Sequence, residues 1–379
     1  MSCSDGPLDY KRLHVDAFVV DLHSDTPLRM KRGVDFAVRD TAGHMDIPRL
    51  QEGGIDLQVF ACWISTETPL DSCKPKTVEL IETLVSQVKA NPDKIEICLT
   101  AGDAERIVDG GKIAAFIGIE NGVAIANDLA NIDYYYNRGV RYMTLTHTAS
   151  SDWCISSADT APAFHGLTDF GRDVVRRMND LGMIIDVSHA HPDAVDEVLK
   201  LTTDPVIASH SCVYALCEHD RNLTDSQIVA IAENGGMIGI NFYNAYLSQE
   251  WKEKSESLYD QFAPEIKKIR DKYPEDDSAR YIATMDYWRE HAHPLMDSIV
   301  VDVNTVVDHI DYIVKLVGAD YVGFGSDFDG VPSLPRGLQD CSMVPNITAE
   351  LVNRGYNKKD IKKILGGNFL RIFRKVCDG

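Results

Sequence analysis

The sequence predicts an α/β chain folded as a (β/α)8 TIM barrel, with a helical insertion after the seventh strand. Three observations predict it. Short apolar runs alternate with stretches of helical period, which is how a parallel sheet covered on both faces reads in sequence. The runs number eight, the count that closes a barrel. Most of them stop at a histidine or a carboxylate, and in a barrel the C-terminal strand ends share one rim. An open doubly wound sheet is the alternative, but no Gly-x-Gly-x-x-Gly follows the first run to support its dinucleotide-binding form.

The first strand, 18–22, is an apolar run that stops at His23 and Asp25, and their i, i+2 spacing puts both on one face. Taken alone, such a His-x-Asp is more simply a pair satisfying turn hydrogen bonds. A short helix over 43–54, closed by glycines, leads to a second strand at 55–63 and a helix at 76–90. The third strand, 112–120, ends at Glu120. A helix at 128–138 precedes the fourth strand, 140–147, which ends at His147. The helix at 168–181 carries Phe170, Val174, Val175, Met178 and Leu181 on one stripe, with Gly182 as its stop. The fifth and sixth strands, 183–189 and 205–210, end in His189 and His210 and flank a helix at 192–201. Thr224 or Asp225 caps the helix at 224–234, and the seventh strand is 236–242.

A charged insertion of about 243–302 follows, with helical patches near 255–272 and 278–291. Because it leaves a strand at the rim, it is expected to roof the site or support a dimer contact. A helix at 303–317, an eighth strand at 320–327 ending in Asp327, and a last helix at 358–376 complete the chain. No low-complexity linker or internal repeat interrupts it, so one domain over 1–379 is expected.

Composition removes several function classes. With 38 basic against 58 acidic residues the formal charge is −20, a field that repels phosphate backbones and anionic membrane surfaces. Nucleic acid is therefore not an expected partner. Nine cysteines without a Cys-x-x-Cys read as mostly buried thiols. No apolar run is long enough to span a membrane, and no basic-then-apolar leader opens the chain. A soluble, cytoplasmic protein is expected; Cys3 leaves open an exported lipoprotein whose signal has been removed.

The polar strand ends carry the chemistry. His23, Asp25, Glu120, His147, His189, His210 and Asp327 would meet at one rim, four imidazoles with three carboxylates, which is a metal site. The other eight histidines are expected on the surface or in loops. The count suits two metals, one on His23, Asp25 and Glu120, the other on His189, His210 and Glu120, so that Glu120 bridges. Two ions roughly 3.5–4 Å apart can share a water, lower its pKa and clamp a tetrahedral intermediate, which is hydrolase chemistry. Mixed imidazole and carboxylate ligands suit zinc best and leave manganese, cobalt and iron open.

The motifs Asp-Leu-His-Ser-Asp-Thr-Pro (21–27), Gly-Ile-Glu-Asn-Gly (118–122), Leu-Thr-His (145–147), Ile-Asp-Val-Ser-His (185–189), Ala-Ser-His-Ser (208–211), Arg-Asn-Leu (221–223), Asn-Phe-Tyr (241–243) and Gly-Ser-Asp-Phe-Asp-Gly-Val (325–331) span nearly the whole chain. Together they resemble the membrane dipeptidase (renal dipeptidase) family of zinc peptidases, within the amidohydrolase group of barrels. The His-x-Asp and the third-strand glutamate separate that family from amidohydrolases built on His-x-His and a modified lysine.

The resemblance implies His23, Asp25, Glu120, His189 and His210 as ligands of two Zn2+ ions. It implies that His147 holds the developing oxyanion and that Asp327 moves the proton from water to leaving amine. Arg221 would fork onto the substrate's terminal carboxylate, and Tyr243 would line the pocket. Without the resemblance, Arg221 reads more simply as a surface ion pair. No hydrophobic C-terminal tail marks a lipid anchor, and the cysteines do not outline a disulfide framework, so the likeness is to bacterial-type members. The implied activity is hydrolysis of L,L and L,D dipeptides by a homodimeric enzyme. An amidohydrolase of N-acyl amino acids is the second reading, and a non-catalytic barrel scaffold the third.

Overall fold

The computed structural model describes residues 8–274 and 276–378. Cys3 lies outside them. Within them nine strands form one parallel sheet: β1 (Val20–Asp21), β2 (Leu57–Trp63), β3 (Ile95–Ile97), β4 (Ile113–Glu120), β5 (Val140–Thr144), β6 (Ile184–Asp186), β7 (Ile207–Ser211), β8 (Met237–Ile240) and β9 (Val322–Phe324). Eight follow the order β1-β2-β4-β5-β6-β7-β8-β9, the predicted barrel. The ladder does not run on from β9 to β1. That seam is closed by separate backbone hydrogen bonds, from Leu22 N to Phe324 O (3.2 Å), Asp25 N to Phe328 O (2.9 Å) and Asp327 N to His23 O (3.1 Å).

Alternation along β4 shows how the sequence builds the interior. Ala114 and Phe116 belong to the cluster inside the barrel, while Ile113, Ala115, Ile117 and Ile119 pack outward against helices. Continuing the period of two puts Gly118 and then Glu120 inside, Glu120 as the last inward position before the rim. Gly118 has to lack a side chain, because a Cβ there would meet the Tyr142 ring at 2.5 Å.

The ninth strand, β3, was not expected. It pairs Ile95 to Ile97 with Ile113 to Ala115, whereas β5 takes over the same edge of β4 from Ile117 onward. One long strand thus serves two short neighbours. Helices Ala101–Asp109 and Pro345–Asn353 were also not anticipated.

The last helix differs from expectation too. It is Lys358–Lys362, then a wide turn over Lys363–Gly367, then Asn368–Cys377. The break lies at Gly366, where a Cβ would come within 2.2 Å of Phe18 O, so the strand-one backbone packs where a continuous helix would run. Beyond it, Phe369 and Phe373 close the barrel bottom, their rings 5.5 and 5.0 Å from Phe116.

The insertion forms two long helices, Gln249–Lys272 and Asp277–His291. Trp251, Leu258, Phe262 and Ile266 are buried along the first, and Phe262 meets Trp288 of the second at 5.7 Å between ring centroids. The eight described cysteines are free thiols, all buried except the half-buried Cys377. Two histidines expected on the surface or in loops are core residues instead. His14 bonds Thr348 Oγ1 (2.7 Å) and Gly53 O (2.8 Å), and His309 bonds Val213 N and Leu247 O, each at 3.1 Å. Among the described residues no helix is long and apolar enough to cross a membrane.

Candidate metal centre

The seven rim residues are brought together. Glu120 stands at the centre: its Oε1 lies 3.0 Å from His189 Nε2, 3.3 Å from His210 Nε2 and 3.6 Å from His147 Nε2, and its Oε2 lies 3.5 Å from His23 Nε2. His23 Nε2 is in turn 3.7 Å from Asp25 Oδ2. Three overlapping groups could hold a metal ion: His23, Glu120 and His210; Glu120, His147 and His189; and His23, Asp25 and Asp327. The grouping is wider than the one read from sequence, because His147 and Asp327 also present ligand atoms.

Local backbone aims these side chains. His189 and Asp327 follow their strands with φ of 67° and 62°, left-handed values that non-glycine residues adopt rarely, histidine and aspartate more readily than most. His210 is turned inward by a bulge: Ala208 pairs with Ile238 and Ser211 with Ile240, an advance of three residues against two. Gly330 makes room for the carboxylates, since a Cβ there would sit 2.0 Å from Asp25 Oδ2 and 2.2 Å from Asp327 Oδ1.

Two buried aspartates brace the rim from beneath by one pattern. Asp21 Oδ1 accepts from Ser326 N (2.8 Å) and Oδ2 from Ser326 Oγ (2.6 Å), tying β1 to the residue before Asp327. Asp186 Oδ1 accepts from Ser209 N (2.9 Å) and Oδ2 from Ser209 Oγ (2.6 Å), tying β6 to the residue before His210. Ser209 Oγ also meets His210 Nδ1 at 2.7 Å, and Tyr142 Oη meets His23 Nδ1 at 2.9 Å. Such partners fix the ring orientation of a metal-binding histidine. Asp21, Asp186, Ser209, Ser326 and Tyr142 were not singled out in sequence, although four of them lie inside the quoted motifs.

The electrostatics fit a cation. Burial, followed by repulsion from Glu120, lifts the Asp25 carboxyl well above its usual range. Burial would lift Glu120 as well, but His23, His147, His189 and His210 together hold it well below. Burial is the main cause that keeps His189 and His210 under the ordinary imidazole range, so both are neutral at pH 7, as a metal ligand must be. Their Nε2 atoms face each other at 2.9 Å, and His23 Nε2 is buried without a hydrogen-bond partner. Converging imidazole nitrogens beside three buried carboxylates are a donor set that divalent metals satisfy.

Arg221 is buried, 4% exposed. Its Nη2 donates to His210 O (2.9 Å), and its Nε has no partner. Among the described residues no acidic group pairs with it, so the surface ion pair is excluded. Its charge is felt at the centre, where burial first and Arg221 among the other causes push His147 down to about 4. Yet Arg221 does not line the large cavity over the centre. That cavity, about 490 Å3, is bounded by Asp25, Glu120, His147, His189, Tyr243 and Asp327 together with the insertion helices. Arg221 lines a smaller neighbour of about 180 Å3 that shares His189 with it. Trp63 and Tyr281, both on the large cavity, were missed: Trp63 is a strand-end residue but not polar, and Tyr281 sits in the insertion with no local signal.

The family model described as membrane dipeptidase (Peptidase family M19) matches residues 9–378. Dipeptidase tcpJ of Claviceps purpurea is 30% identical over 373 residues, 94% of this chain and 77% of that protein. Among solved structures, the probable dipeptidase PvdM from Pseudomonas aeruginosa superposes with a TM-score of 0.82 at 30% identity, over 97% of this chain and 98% of that one. A metallo peptidase from Rhodobacter sphaeroides, solved with a phosphinate mimic of the dipeptide L-Ala-D-Ala, shares the fold, with a TM-score of 0.76 at 23% identity over 95% and 99% of the two chains.

Proposed function

The chain belongs to the membrane dipeptidase family, peptidase family M19, and from that premise we propose how this metallo-dipeptidase works: two zinc ions, both held by Glu120, one also by His23 and Asp25 and the other by His189 and His210. The observation that supports two sites is the division of Glu120, whose Oε2 faces His23 while its Oε1 faces His189 and His210. Bound zinc supplies an acidified water and polarises the scissile carbonyl.

The chain's own groups do the rest. Asn241 Nδ2 donates to Asp327 Oδ2 at 2.8 Å, which orients the carboxylate and leaves Oδ1 to take the proton of the attacking water and pass it to the leaving amine. His147, neutral because burial above all pushes it down to about 4, donates a ring N–H to the developing oxyanion. Its Nδ1 is 3.1 Å from Thr148 Oγ1, which steadies the ring. Arg221 receives the substrate's terminal carboxylate: a buried guanidinium without an acidic partner is costly, and a carboxylate relieves that cost through charge-assisted bonds. Tyr243 walls the cavity and carries no step. The reading covers L,L dipeptides and, because the R. sphaeroides relative binds a mimic of L-Ala-D-Ala, L,D dipeptides.

Two measurements test it. Glu120→Gln should lose both metals and all activity; two equivalents of zinc with normal turnover would refute the bridge. Wild type should prefer a dipeptide over its C-terminal amide and over a matched tripeptide by ~10²-fold, the cost of misplacing a reacting bond by an ångström. Arg221→Ala should lose most of the activity on the free dipeptide and narrow the gap to the amide. Equal efficiency on all three substrates by wild type would mean that Arg221 is no carboxylate clamp.

A further inference from the structure

The large cavity rises from the metal centre along an aromatic wall. Trp63, at the end of β2, has its ring 5.5 Å from His147 and 5.0 Å from Tyr281. Tyr281, Met285 and Trp288 follow at i, i+4 and i+7 on one face of the helix Asp277–His291, and Tyr259 and Ile266 join them from the helix Gln249–Lys272. Tyr281 Oη donates to Gly330 O, which ties this wall to the loop that carries Asp327. Charged residues also reach the cavity, but they are spent on one another. Arg270 and Arg280 both pair with Glu67, and Arg280 also pairs with Asp277 at 2.8 Å. The wall therefore offers apolar and aromatic surface without an unpaired charge to a side chain that enters.

Under the proposed carboxylate clamp the two cavities would divide the substrate. With the carboxylate on Arg221, the C-terminal residue lies toward the smaller space, of about 180 Å3, that Arg221 and His189 line. The side chain of the N-terminal residue is then left facing Trp63 and the roof. The cavity of about 490 Å3 contains the centre as well as the space beneath the roof, and beyond the centre its wall is the aromatic and apolar surface of Trp63, Tyr281, Met285 and Trp288. Resting on the dipeptidase reading, we propose that the roofed cavity is a pocket for the N-terminal side chain and selects dipeptides whose first residue is large and aromatic or apolar. Such a side chain stacks on Trp63 and displaces water from apolar surface, an interaction that alanine or glycine cannot make.

The test is kcat/KM on two matched series, X-Gly and Ala-X, with X as alanine, leucine, phenylalanine and tryptophan. The X-Gly series should rise by about tenfold or more from alanine to phenylalanine, the scale on which an apolar pocket discriminates, and the Ala-X series by much less. In Trp288→Ala the ratio of Phe-Gly to Ala-Gly should fall severalfold, and Met285→Ala provides a second, milder variant should the first fail to fold. A flat X-Gly series with robust turnover overturns the pocket and leaves the dipeptidase reading intact. A rise confined to Ala-X, or an unchanged ratio in the folded variants, also overturns it. No turnover of any dipeptide by zinc-loaded protein sinks the dipeptidase reading itself, and the pocket with it.

Discussion

His309 shows what a histidine does in this chain away from the rim. Its Nδ1 accepts from Val213 N and its Nε2 donates to Leu247 O, so both bonds need the neutral ring. Burial pushes its pKa down from 6.5 to about 4. Between those values the folded state binds fewer protons than the unfolded chain, so this contribution to stability is lost as pH falls from about 6.5 toward 4. His309→Gln should unfold more easily at pH 7 yet flatten the acid slope by up to about 1.4 kcal/mol per pH unit, the share of one proton. Denaturant titrations at pH 7 and 5 measure it; identical slopes would mean that the ring protonates freely in the fold. Asp327 makes the opposite case, a carboxylate proposed above as the proton shuttle. Asp327→Asn should keep its metal while kcat falls by at least ~10²-fold, and a preserved kcat would move the proton shuttle elsewhere.

Strands meet weakly at two seams, and both lie beneath proposed ligands. The β6–β7 ladder has a single register pair, Asp186 with Ile207, and β9 joins β1 without a ladder. The Asp186–Ser209 and Asp21–Ser326 bonds stand in for the missing ladder, and each serine precedes a site residue. Asp186→Asn puts an amide donor against Ser209 or Thr144, which already donates to Oδ2 at 2.5 Å. It should weaken zinc affinity by roughly 10–100-fold, measured by chelator competition, with activity partly restored by excess zinc. Lower thermal stability with unaltered affinity would make the aspartate a structural staple alone. Gly330→Ala should go further, because its Cβ would overlap the oxygens of both Asp25 and Asp327.

For the molecule as a whole, the metals are proposed to join side chains from β1, β4, β6 and β7 that the ladder joins unevenly. A ligand that binds only the folded state stabilises it by mass action, about 2.7 kcal/mol at a hundred times its Kd. Chelation should therefore lower Tm and added zinc restore it; a Tm indifferent to chelation would place the metals outside the folding unit. The roof is built differently. Replacing residues 250–295 by a short linker should raise KM while leaving zinc bound, because the ligands sit on the barrel rather than on the insertion helices. Loss of zinc in that variant would show that the roof supports the site itself.

Local pattern alone made much of this legible. An apolar run and the residue that ends it are neighbours in the chain, so Glu120 could be read as a strand-end carboxylate before any partner was known, and the count of such runs led to the barrel. The residues at strand ends then outlined the centre. What sequence could not show depends on distant partners. Strand parity sends Ser209 and His210 to opposite faces, and only the bulge against β8 brings His210 within 3.3 Å of Glu120. His14 and His309 looked like surface or loop residues because the groups that satisfy them, Thr348 and Gly53, Val213 and Leu247, lie far off in the chain. The short strand β3 was invisible because its existence depends on a free stretch of the β4 edge. Arg221 and the aromatic wall belong with these: whether a guanidinium is buried without a counter-charge, and which rings face one cavity, is settled by packing between elements remote in sequence, where periodicity carries no information.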